Sequence, residues 1–252
     1  MRLTITEVDG SPAVAEHPGS CQVSRGARLG PLVTGGDLRL VIVELEAGAT
    51  MSWPAEHGED AVYLLTGAVD VDGAALATGG ALVLHAGGPV TLAATEASRL
   101  AHFWSTPSSV EDDPPAGRHL VGPDGWAVSG SRDASFATWF ADSTCEGCDV
   151  TLMKVERDTP GNRGRAHTHS AEEIIFVIDG EIHLGAHPVP AGTAVHIPAD
   201  TRYAVTCGDR HHAFLNYRAG PSTQHYAGDT EPVPETALGR GGRLVHAARP
   251  RS

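Results

Sequence analysis

The chain has 252 residues, 41% of them apolar and 19% charged, and its formal net charge is −13. That length suits one large or two small all-β domains, and the 30 glycines and 17 prolines point to many turns between short strands rather than to long helices. The acidic balance argues against nucleic acid or an anionic membrane surface as a partner, and no run approaches the ~18 apolar residues of a membrane helix.

Met1 to Glu7 has no apolar signal core, so a cytoplasmic location is expected. Strand signals begin at Leu38–Leu45, a β-rich apolar run, and continue with Ala61–Leu65 and the alternating Val69-Asp70-Val71. Ser108 to Arg118 is polar and proline-rich and reads as a linker, which divides the chain into 1–118 and 119–252. Cys145-Glu146-Gly147-Cys148 is a lone C-x-x-C with no second pair, read as a hairpin turn that happens to carry two thiols. Strand signals resume at Val150–Val155, then at Ile174–Ile178 and Ile182-His183-Leu184. From Ala219 onward the chain is rich in turns and is expected to pack over the second unit as extended chain.

The two halves repeat. Gly48, Gly67 and Gly79 recur as Gly161, Gly180 and Gly192 at a constant offset of 113, with matching apolar runs between them. A duplicated β unit of roughly 100 residues follows.

The second unit carries the chemistry. His167 and His169 are one residue apart, so in a strand they share a face. Glu173 opens the next strand after a short turn, and antiparallel pairing would bring it beside the histidines inside the barrel, with Glu172 facing out. Two imidazoles and a carboxylate suit one divalent Fe, Mn, Ni, Co or Zn ion. Arg165 has the parity of His167 and is a candidate clamp for a substrate carboxylate. His196 is read as outward, His183 and His187 as surface residues, and Phe176 and Asn216 as candidates for lining the pocket. In the first unit the offset places Pro54, Glu56, Asp60 and Val90 at the positions of His167, His169, Glu173 and Tyr203, so the metal motif is lost there. The remaining cluster of Glu56, His57, Glu59 and Asp60 reads as a solvated turn.

Gly161, His167, His169, Glu173 and Gly180, followed by Pro190-Ala191-Gly192 and His196-Ile197-Pro198, resemble the two sequence motifs of the cupin superfamily. The resemblance implies two tandem jelly-roll barrels, a bicupin, with a metal in the C-terminal one. It also implies a fourth ligand at the position occupied by Tyr203, where the family usually has histidine. A tyrosine there can ligate, move a proton or line the cavity, and His211 or His212 of the final strand could supply the missing ligand or act as a catalytic group. Without a fourth ligand, two His and one carboxylate leave open positions typical of non-haem iron working with O2. The expectation is therefore an iron oxygenase acting on a small carboxylate-bearing molecule. The alternatives are a non-redox lyase, isomerase, decarboxylase or hydrolase, or a binding protein without turnover. A homodimer is expected by the same resemblance.

Overall fold

In the computed structural model, the residues described are 3–9, 14–19, 21–54, 60–85, 89–106, 117–131, 135–144 and 150–245. They form strands and turns, with no helix among them, and none is therefore long and apolar enough to cross a membrane. The chain divides into two compact units, Gly10–Trp126 and Ala127–His246, the latter joined by Met1–Asp9. This differs from the division at 118/119 expected from composition. Gly117–Val121, at the end of the presumed linker, is a strand paired with Ala81–His85 of the first unit. Thr4–Glu7 pairs with Thr193–Ile197 of the second. The cysteines Cys145 and Cys148 and the residues Glu56, His57 and Glu59 lie outside the described residues.

The repeat is reproduced strand for strand. Asp60–Thr66, Ala68–Val71 and Ala74–Ala77 in the first unit match Glu173–Asp179, Glu181–Leu184 and His187–Pro190 in the second, at the same offset. Gly67 and Gly180 show why glycine is kept: φ is +93° and +65°, and an added Cβ would collide with the backbone of Ala97 and Ser98 in the first unit and of His211 in the second.

The first unit has a six-stranded sheet, with Asp60–Thr66 and Ser98–Ser105 at its centre, and a five-stranded one. Its core is apolar, with Val41, Val43, Met51, Trp53, Val62, Leu64, Leu82 and Leu92 buried together. Alternation explains this: Asp60, Val62 and Leu64 share one face of their strand, and all three are buried. The second unit has an eight-stranded sheet in which Glu173–Asp179 lies between Thr193–Ile197 and His212–Ala219. Two three-stranded sheets complete it. In one of them His167–His169 pairs with Thr223–Tyr226, which pairs in turn with Val233–Pro234. The tail therefore does run as extended chain, hydrogen-bonded to the strand that carries the histidines.

Candidate active site

A cavity of about 410 Å³ opens in the second unit. His167, His169 and Tyr203 line it, with Asn216 and Arg218 from the last strand of the eight-stranded sheet. Gln224, Tyr226, Glu235 and Arg240 line it from the tail, and Arg157 from the strand Val150–Arg157. Glu173 lies behind this surface and is fully buried.

Each of the three candidate donors is tied at its far end. The Nδ1 of His167 lies 2.8 Å from the carbonyl oxygen of Arg165. The Nδ1 of His169 lies 2.7 Å from Oε2 of Glu235. Oε2 of Glu173 accepts from Asn216 Nδ2 at 2.7 Å and from Arg218 Nη2. On the other side, His169 Nε2 is 3.8 Å from Glu173 Oε1. The rings of His167 and His169 are edge to face with centroids 4.8 Å apart. The hydroxyl of Tyr203 is 3.1 Å from His169 Nε2. A backbone bridge between His167 and Tyr203, with N–H···O distances of 2.9 and 3.0 Å, holds those two residues opposite each other.

The electrostatics follow from burial and from one guanidinium. Burial alone would raise Glu173, but Arg218 and then His169 hold its carboxyl below the usual range. Glu235, also fully buried, is pulled down to about 2 by Arg218 and by its hydrogen bond to His169. Arg218 spans them, with Nη1 2.9 Å from Glu235 Oε1 and Nη2 on Glu173. Burial lowers His167 to about 4, so its imidazole is neutral near pH 7. Burial and then Glu173 raise the phenol of Tyr203 well above its ordinary value, so it keeps its proton.

In kind, this donor set fits a first-row divalent ion, since it offers two imidazoles and a carboxylate oriented by outer hydrogen bonds. In position, the set is not closed. Among the described residues no three His, Cys, Asp or Glu side chains are grouped as they would be around an ion. Arg218 Nη2 stands 3.2 Å from His169 Nε2, one of the atoms that would ligate.

Several expectations need correction. Arg165 is exposed and does not line the cavity; it pairs with Asp229 and lies over the ring of Tyr226. Strand parity misplaced it because the strand begins only at His167. Phe176 is buried but takes no part in lining the cavity, since it sits on the strand face opposite Glu173. His211 is held outside by Asp158 and Asp179. His212 is buried at the far end of its strand with Nδ1 3.1 Å from Cys207 Sγ, so neither histidine reaches the cavity. His196, read as outward, does lie on the face opposite Glu173, where it is buried and paired with Glu172 beside the Thr4–Glu7 strand. Asn216 does line the cavity, where it holds Glu173. Arg218, Glu235 and Arg240 were not foreseen. The one signal for Arg218 is its parity with Asn216 in a strand; Glu235 and Arg240 sit in irregular tail with no pattern to mark them.

No family model matches the chain, and no curated protein matches it in sequence. Solved structures do match. One is a protein of Pseudomonas aeruginosa described as glyoxylate-induced, with a TM-score of 0.62 at 17% identity over 83% of this chain and 92% of that one. Another is an oxalate decarboxylase, with a TM-score of 0.64 at 14% identity over 86% and 77% of the two chains. The chain has the bicupin fold. A structure of the Bacillus subtilis oxalate decarboxylase, described with Mn(II) centres, matches the bicupin chain with a TM-score of 0.63 at 15% identity over 86% and 77%.

Proposed function

We propose that the C-terminal barrel is the working site of a non-oxidative enzyme of the lyase, decarboxylase or isomerase kind. Its substrate is a small carboxylate-bearing molecule, and one divalent transition metal is held by His167, His169 and Glu173. The observation that carries this reading is that His167, His169 and Glu173 are each anchored at one end, with both histidines lining an arginine-lined cavity. The relatives described as oxalate decarboxylase support the non-oxidative alternative over the iron oxygenase expected from the open coordination positions, and favour Mn over Fe.

A bound divalent ion would supply Lewis acidity to a substrate oxygen. The remaining work falls to the chain itself. Arg157 and Arg240 face the cavity and are placed to hold a carboxylate. Tyr203 keeps its proton at neutral pH and is the group that can donate it. Glu235 holds the imidazole of His169 in one orientation and one tautomer.

The test is turnover of small dicarboxylates and 2-oxo acids by metal-loaded protein, with and without oxygen. Turnover is expected to be the same in both, lost with chelator and restored by Mn. Stoichiometric O2 consumption would sink the non-oxidative reading. Elemental analysis of His167→Ala should show a sharp fall in bound metal.

A further inference from the structure

His169 has one lone pair to give. Its Nδ1 meets Glu235, a buried carboxylate already in ion contact with Arg218, and a carboxylate accepts; Nδ1 therefore carries the proton and the lone pair is on Nε2. That lone pair faces two donors, the hydroxyl of Tyr203 at 3.1 Å and Arg218 Nη2 at 3.2 Å; of the two, only the guanidinium carries a charge, and it can only donate. The same nitrogen is bound to Glu173, on the carboxylate expected to ligate. Arg218 is fully buried, so its charge has been placed here at a desolvation cost and is compensated by Glu173 and Glu235. A dication entering beside Glu173 would meet a lone pair already engaged and a positive charge already in position.

We propose that Arg218 and a divalent metal are alternative partners of the same His169 lone pair, so that this arginine sets the metal affinity of the C-terminal barrel. Metal entry requires the guanidinium to leave His169 and to lean on Glu235, which it already touches through its other nitrogen at 2.9 Å. The inference rests on the metal reading above and adds to it a resident cation belonging to the protein. It accounts for donors of the right kind that are nevertheless not drawn together around one point.

The experiment is a titration of metal-stripped full-length protein with Co2+, followed by its visible absorption and by calorimetry, for wild type and Arg218→Met. Removal of Arg218 takes the nearest cation from two buried carboxylates, so Arg218→Met/Glu235→Gln, which restores the net charge of the group, is run alongside. Circular dichroism confirms folding of each. Binding at least tenfold tighter in either folded variant than in wild type is the expected result, as is binding seen only in the variants. Equal or weaker binding in the folded variants overturns the competition but leaves the metal reading standing. No Co2+ binding by any of the folded proteins overturns both.

Discussion

The two barrels share a backbone and differ in what they do with one buried carboxylate. Asp60 and Glu173 occupy the same position at the start of matching strands, and both are buried. In the second barrel the neighbouring strand offers Asn216 opposite Ile175 and, two residues on, Arg218. In the first, the corresponding strand offers His102 opposite Val62 and Trp104 opposite Asp60 itself. Asp60 accordingly meets His102, Nε2 to Oδ1 at 3.3 Å, and His102 meets His17 at 3.0 Å. An indole stands where the second barrel has a guanidinium. The first barrel handles its carboxylate through an imidazole pair packed among Trp53 and Trp104, beside a core cluster of apolar side chains. Duplication has preserved the strands and turns while the interior polar groups changed, because the backbone register is indifferent to which side chain fills an inward position.

The sharpest way to break this contrast is to remove the cation. Arg218→Ala should cost roughly 3–5 kcal/mol in urea denaturation, since it takes the ion partner of buried Glu173 and the nearer of two from Glu235; a loss under 1 kcal/mol would mean the network is solvated. Asp60→Asn in the first barrel should cost less, about 1–3 kcal/mol, since the amide can still meet His102. A loss equal to that of Arg218→Ala would erase the distinction. Tyr203→Phe should cost about 1 kcal/mol of stability while lowering turnover by on the order of 10²-fold; in steady-state kinetics, an unchanged kcat would remove Tyr203 from proton transfer.

The histidine pair gives the first barrel a pH dependence of its own. Burial and then His102 lower His17 from 6.5 to about 3. Between those values the unfolded chain binds a proton that the folded one does not, so this contribution is complete above pH 6.5 and is lost as pH falls toward 3. His17→Gln should shrink the drop in Tm between pH 7 and pH 5 measured by calorimetry. The smallest effect is expected at Arg165→Ala, where an exposed, solvent-screened pair is lost and Tm should hardly move; a large loss of substrate affinity there would restore the role that strand parity suggested.

The strands were legible in the sequence because the glycine repeat and the period-2 alternation are local. So was the pairing of His167 with His169, which depends on that same period. The partners of those residues were not legible, since they come from far along the chain. Glu235 reaches His169 from an irregular tail, and Arg218 is one inward residue among several in an apolar strand whose charge is only explained by Glu173 and Glu235. Division by composition failed at 118 because strand Gly117–Val121 belongs to the sheet of the first barrel despite the polar chain before it.

The pairing of Thr4–Glu7 with Thr193–Ile197 carries a consequence for how the protein is made. A ribosome releases the first of these segments long before the second exists, and the whole of the first barrel is synthesised in between. The opening residues must therefore wait without their sheet partner, and the edge they eventually cover stays open for pairing until they dock. Closing so long a loop raises the contact order of the second barrel and slows its completion relative to the first, whose strands all lie between Gln22 and Val121. Refolding should therefore show two phases, the slower one reporting the return of the chain's beginning to the sheet edge.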